Sequence, residues 1–237
     1  MSDVLIECPL FLVDRCDEFK NQEGFVLAKY PECRECCHYY RQFNGIAKNS
    51  GINFMSKALC EIQWKKDDDE SFMRYYNIKS DIVNWVLDGN NLLITTPYTE
   101  NETSILVLKL MYGYFWELKE YYLYEWVRGK YINVPEFIFE IETYNTRNSD
   151  DFKLKIDELK KVDLVVWDDI TLIPFKETSR DLITTIVNTR FRDGKANIFA
   201  GLEIENPQDA FGEILFQKLK RCEHIQITKP FILEKIN

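Results

Sequence analysis

The stretch Leu92-Leu93-Ile94-Thr95-Thr96-Pro97-Tyr98-Thr99-Glu100-Asn101-Glu102-Thr103-Ser104 decides how this chain is read. Its first four residues, preceded by Gly89, are a short apolar run of the length and composition of a buried strand. A polar loop from Thr96 to Glu102 follows, and then a helix-like run from Thr103 to Tyr122. A strand whose loop opens directly into a helix is the frame in which α/β proteins hold phosphate.

Outward from this frame the same alternation continues. An amphipathic stretch, Phe72 to Leu87, precedes it. Further strands are expected at residues 131–134, 164–167, 197–200 and 224–227, with helical patterns at 136–144, 151–160, 179–191 and 209–220 between them. Short apolar strands alternating with amphipathic helices imply βαβ crossovers and a parallel sheet covered on both faces, so the expected fold class is α/β. The boundary of this core falls at Asn49-Ser50-Gly51, a turn signal. Residues 1–50 are expected to form a small cysteine-bearing module and residues 51–237 the α/β core. Asp67-Asp68-Asp69-Glu70 lacks the alternating ligands and glycine of a calcium loop and reads as a solvated acidic run.

Composition narrows the function. With 39 acidic against 30 basic side chains the net charge is −9, so no bulk positive field draws the chain to nucleic acid or to anionic membrane. Contact with nucleic acid is expected to be weak or indirect. The apolar run from Ser104 to Trp116 is interrupted by Lys109 and too short to span a bilayer, and the N-terminus lacks a secretory pattern. A cytoplasmic protein without membrane contact is expected. Six of the seven cysteines (Cys8, Cys16, Cys33, Cys36, Cys37, Cys60) fall in the first 60 residues, an odd total that suits reduced thiols or a metal better than a disulfide framework. Cys33-Arg34-Glu35-Cys36 has the C-x-x-C spacing of a zinc knuckle. Cys8 and Cys16 would complete a tetrahedral site, with Cys37 and His38 as substitutes. Buried thiols without metal are the alternative reading.

Two strands beyond the frame, Leu164-Val165-Val166-Trp167-Asp168-Asp169 has the form of a Walker B strand, apolar residues ending in a carboxylate pair. The helix after it closes with Asn188-Thr189-Arg190-Phe191-Arg192-Asp193-Gly194-Lys195, and Phe211-Gly212-Glu213 follows the next strand. On these segments the chain, from about Cys33 to its end, resembles the AAA+ replicative-helicase loaders of the DnaC/DnaI type and their phage relatives. The resemblance implies a P-loop NTPase core, a small zinc-bearing N-terminal domain that contacts the helicase, and side-by-side assembly with other loader subunits. It also implies a magnesium-holding role for Asp168 and a water-orienting role for Asp169.

The departures from that pattern concern function. A working phosphate loop reads G-x-x-x-x-G-K-[ST], because glycines let backbone N–H groups approach the phosphates and lysine neutralises them. Here the corresponding positions are Thr96, Asn101, Glu102 and Thr103, so both glycines are missing and an acid replaces the lysine. Like charges about 4 Å apart repel by roughly 4 kcal/mol at an effective dielectric near 20, which disfavours a triphosphate in the usual pose. The polar sensor position holds Leu202, and the positions implied for the arginine finger and its companion hold Ile214 and Lys218. Lysine lacks the planar fork that stabilises a transferring phosphoryl group. A degenerate ATPase that binds neither ATP nor magnesium is therefore expected, with Asp168 and Asp169 bonded to helix or loop N–H groups instead. Its expected role is that of an accessory subunit or inhibitor, of a phage or mobile element, acting on a replicative helicase or an active loader. A loader with an unconventional site at Thr103, Asp168 and Asp169 is the alternative, and an interaction scaffold unrelated to replication the second.

Other constellations carry less. The aromatic crowd Tyr112, Tyr114, Phe115, Trp116, Tyr121, Tyr122, Tyr124 and Trp126 has few accompanying cations and reads as core or interface rather than a base-stacking platform. Cys222 and His224 lack an oxyanion loop and an orienting acid for nucleophilic catalysis. The basic helix end at Arg190, Arg192 and Lys195 is expected to bind an acidic partner or complement its own helix dipole.

Overall fold

In the computed structural model, residues 49–52, 61–63, 69–97, 103–121, 128–143, 149–171, 175–228 and 232–234 are described. The apolar runs form strands β2 (Asn91–Thr96), β3 (Gly129–Asn133), β4 (Leu164–Asp168), β5 (Ala196–Leu202) and β6 (Glu223–Gln226) of one sheet. Their order is β3-β4-β5-β2-β6, and every pairing is parallel. A second, two-stranded sheet pairs β1 (Glu61–Gln63) with β7 (Ile232–Glu234) antiparallel, which the sequence pattern does not announce.

The two cores follow from the two-residue period of a strand. Leu92, Ile94, Leu164, Val166, Ile198 and Ala200 face one core, shared with α1 (Asp69–Ser80), α2 (Ile82–Leu87) and α3 (Thr103–Tyr121). Val165, Trp167 and Phe199 face the other, beneath α4 (Val134–Thr143), α5 (Asp150–Lys161), α6 (Glu177–Arg192) and α7 (Pro207–Leu219). β4 is buried at all five positions, which is why its sequence is a continuous apolar run rather than an alternating one.

Local signals set the helix ends. Ser149 caps α5 by accepting the Phe152 N–H at 3.2 Å, with Asp150 and Asp151 in the first turn and Lys160 and Lys161 in the last. Those charges complement the helix dipole. α7 is broken at Gly212 (φ 73°, ψ 160°), a conformation that suits glycine, so Phe211 and Leu215 reach the core from two short helical pieces.

The helix end at Arg190 corrects the expectation of a surface cation. Arg190 is fully buried, donating to the carbonyl oxygens of Leu159 (2.6 Å), Val162 (2.8 Å), Asp163 and Ala196 and to Asn197 Oδ1 (2.7 Å). It is a knot at the amino end of the sheet. Asp163 beside it bonds Lys195 at 2.8 Å and Arg128 at 2.5 Å. Partial burial works against ionisation of Asp163, but these two cations hold its carboxyl below the usual carboxylate range.

The boundary at Asn49-Ser50-Gly51 is packed against the core. Ser50 O accepts the Tyr131 N–H of edge strand β3 at 2.7 Å, and Lys130 Nζ donates to Asn49 O at 2.7 Å. Residues 1–48, and with them Cys8, Cys16, Cys33, Cys36, Cys37 and His38, lie outside the described residues. No helix among the described residues is long and apolar enough to cross a membrane.

Candidate functional site

The carboxyl ends of parallel strands, where the chain turns into helices, are where α/β sheets place their sites. Thr96 ends β2, Leu202 ends β5, Asp168 ends β4 and Thr103 opens α3. Thr96 pairs with Leu202 in register, and its carbonyl accepts the Glu203 N–H at 2.8 Å. Thr96 and Thr103 are both buried. Asn101 and Glu102 lie outside the described residues.

Asp168 is the centre of the arrangement, with no exposed surface. Its Oδ1 accepts the backbone N–H of Asp169 at 3.0 Å, which agrees with the expected bond to a loop amide. Its Oδ2 accepts the hydroxyl of Tyr131, reaching across from β3. The Ser104 hydroxyl also bonds Asp168, and bonds Tyr131 as well. Burial lifts the Asp168 carboxyl to about 6; the Ser104 and Tyr131 bonds oppose that rise, and the neighbouring Asp169 charge adds to it. Burial and the Asp168 charge also push the Tyr131 phenol well above its ordinary range, so it remains a proton donor. Asp169 sits at φ 56°, and its Oδ2 accepts Asn133 Nδ2 at 3.1 Å. The same Asn133 caps the start of α4, its Oδ1 accepting the Glu136 N–H at 3.1 Å.

Two members of this cluster were not singled out in the sequence. Tyr131 had no readable signal, since only the β3–β4 pairing brings its ring over Asp168. Ser104 was visible as the neighbour of Thr103. In phosphate-loop proteins the hydroxyl that ends the loop motif shares magnesium with the Walker B aspartate. Here the hydroxyl that meets Asp168 is that of Ser104, one residue beyond the motif position. Among the described residues no group of three or more His, Cys, Asp or Glu side chains is placed to hold a metal.

The remaining singled-out residues are dispersed. Ile214 projects from α7 with 59% of its surface exposed, and Lys218 on the same helix lies over the Phe191 ring at 5.4 Å. Neither approaches Asp168 among the described contacts. Of the aromatic crowd, Tyr114 and Phe115 are buried against the sheet and Tyr112 packs beside them, while the side chains of Trp116 and Tyr121, and Tyr122, Tyr124 and Trp126, lie outside the described residues. Cys222 and His224 do not form a pair. The Cys222 thiol donates to the Lys218 carbonyl at 3.5 Å and burial pushes it up to about 12, while His224 Nε2 lies 2.7 Å from Thr95 Oγ1. A thiol held protonated is not a nucleophile.

The five-stranded parallel sheet, in the order β3-β4-β5-β2-β6 and flanked by helices on both faces, is an α/β fold shared with solved replication proteins. Among solved structures it is similar to the DnaC helicase loader, with TM-score 0.57 and 14% identity over 70% of this chain and 93% of that one. DnaI gives 0.52 and 14% identity over 67% and 85%. A replication initiator DnaA bound to AMPPCP and single-stranded DNA gives 0.53 and 17% over 65% of this chain, which spans only 46% of that DnaA. At these identities the structural similarity shows a shared fold alone. No protein-family model and no protein of curated function matches the sequence.

Proposed function

We propose that this chain is a helicase-loader-like protein of DNA replication that works by binding, on an AAA+ scaffold that has given up ATP hydrolysis. One observation carries the reading: the Asp168 carboxylate is completely buried and bonded by Tyr131, Ser104 and its own backbone. A magnesium ion needs carboxylate oxygens and several waters in octahedral array, and phosphates to share its charge. Asp168 has no exposed oxygen to offer such an ion, both of its oxygens being taken up by bonds inside the fold, and this argues against a fit. The replaced glycines, lysine, sensor and finger support the same conclusion.

The expected partner is a replicative helicase or an active loader, beside which a subunit without turnover sits or caps the ring. The test is capture from lysate of the encoding organism, followed by mass spectrometry. Recovery of a replicative helicase or loader is expected. A reproducible set of partners containing neither would instead favour a scaffold unrelated to replication. Cys33, Cys36, Cys8 and Cys16, with Cys37 and His38 as substitutes, are proposed as the ligands of a structural zinc, which elemental analysis of the purified chain tests.

A second reading rests on Thr103, Asp168 and Asp169 remaining at the carboxyl ends of the strands, in a fold that in the similar DnaA holds AMPPCP. It makes the chain a loader with an unconventional nucleotide site. Direct titration with magnesium and ATP separates the two.

A further inference from the structure

The helices that cover the sheet opposite α3 carry a surface that the nucleotide reading does not use. Between α5 and α6 lies an open groove of about 600 Å³, and its apolar lining is Phe152, Ile156 and Leu182. Phe152 and Ile156 belong to the buried core, and Leu182 packs half-buried against it. On the outer side of the same helix α5, Leu154 stands with 66% of its surface in solvent. No other large apolar side chain among the described residues is more exposed. A single exposed leucine is ordinary and needs no explanation by itself. What gives this one a direction is the charge on the two walls beside it.

The walls differ in sign. On α5 the groove is lined by Lys153, Asp157 and Lys160, an excess of one cation, and on α6 by Thr178, Asp181 and Thr185, where the charge is acidic. Glu177, one turn before Asp181, adds a second exposed acid to that side. The lysines are held only by neighbours on their own helix, Lys153 by Asp150 at 3.3 Å and Lys160 by Asp157 at 3.7 Å. Surface pairs of this kind contribute little and exchange readily for a better one. Among the described residues Glu177 and Asp181 form no ion pair. A partner of one charge sign would match one wall and oppose the other. A second copy related by a two-fold axis presents its α5 wall to the α6 wall of the first and its α6 wall to the α5 of the first, so cations meet acids at both contacts.

We propose that this face pairs two copies of the chain about a two-fold axis, with Leu154 of each copy seated in the α5–α6 groove of the other and Lys153 of each facing Asp181 of the other. Each copy supplies a knob and a hole, as a self-complementary contact requires. With a net charge of −9 on each chain the two copies repel overall, so the attraction has to come from matched local charges and apolar burial. The pairing goes beyond the loader-like reading and stands whether or not the chain takes up nucleotide.

Sedimentation velocity of the full chain over a concentration series tests it. A reversible monomer–dimer equilibrium is expected. Leu154→Glu is expected to weaken it by about 100-fold, because each dimer loses two buried leucines, whereas Leu154→Met stays within about threefold of the unaltered chain. The position is exposed, and an unchanged far-ultraviolet circular dichroism spectrum shows that both variants are folded. Lys153→Glu alone and Asp181→Lys alone each put like charges across both contacts and are expected to weaken pairing about tenfold. An equimolar mixture of those two variants restores opposite charges at both contacts and is expected to return the affinity to within about threefold of the unaltered chain. A chain that stays monomeric up to about 0.1 mM overturns the proposal and leaves the groove to a different protein. A dimer indifferent to Leu154→Glu, or a mixture that associates no better than either charge variant alone, overturns it by placing the contact elsewhere.

Discussion

At the amino end of the sheet, Asp163 is shared between Arg128 and Lys195, and the buried Arg190 is satisfied by four carbonyls and an amide oxygen. At the carboxyl end, Asp168 is buried just as deeply, but its neighbours are two hydroxyls, a backbone amide and a second carboxylate. Burial acts against ionisation at both ends, pulling Arg190 down to about 9 and lifting Asp168 to about 6. At pH 7 Arg190 is still charged with a wide margin, whereas Asp168 ionises at a cost. The first end is a scaffold whose charges are matched. The second holds a fully buried carboxylate, Asp168, bonded by neutral donors.

Breaking the matched end has the larger effect. Arg190→Met leaves buried carbonyls of Leu159, Val162 and Ala196 without donors and is expected to cost about 3–5 kcal/mol in urea unfolding. Arg190→Lys supplies three donors without the planar fork and recovers less than half of that loss. A loss near zero for Arg190→Met would mean that the knot is not what ties α6 to the sheet.

The carboxyl end is tested through pH. Because the folded-state value of Asp168 is raised from 3.8 to about 6, its protonated form favours folding. That contribution is fully present below pH 3.8, fades as pH rises through about 6 and is gone above it. Asp168→Asn removes this dependence. Relative to the unaltered chain it is expected to gain up to about 3 kcal/mol between pH 4 and pH 7.5, read as the difference of two unfolding curves. An equal effect at both pH values would place the Asp168 charge in a compensated setting like that of Asp163.

Two glycines at the amino end sharpen the geometry. A β-carbon at Gly89 (φ +70°) would lie 2.3 Å from the Gly194 carbonyl oxygen, whereas one at Gly194 (φ +63°) would meet nothing within 4 Å. Gly89→Ala is expected to cost about 2–3 kcal/mol and Gly194→Ala about 1, the latter being conformational strain alone. The smallest effect is expected at residue 102. Restoring the lysine by Glu102→Lys should leave ATP hydrolysis undetectable, since the loop glycines, the sensor and the finger are still missing. Measurable turnover in that variant would mean that the other departures do not matter.

The same contrast explains what was legible in the sequence. The strands of the parallel sheet and the helices between them could be read because burial on both faces writes itself as apolar runs such as Leu164–Trp167, separated by amphipathic stretches. The single amphipathic stretch at Phe72 to Leu87 proved to be two helices that meet at Asp81. Arg190 was misread because a basic residue in a last helical turn is usually a surface dipole partner, and nothing local reveals that five acceptors converge on it. Asp168 was legible from its motif. Its partner Tyr131 was not, since that contact is made by strand pairing across 37 residues, and Ser104 was displaced from the expected position by one residue. The β1–β7 pair joins segments far apart in the sequence, each only three residues long, too short for periodicity to register.

The central proposal is that the buried carboxyl end of this parallel sheet does not accept a nucleotide with its cation. Calorimetric titration of the full chain with ATP and magnesium tests it most directly. The account predicts no saturable heat at micromolar nucleotide, with Asp168→Asn indistinguishable from the unaltered chain. Micromolar affinity that Asp168→Asn abolishes would contradict it.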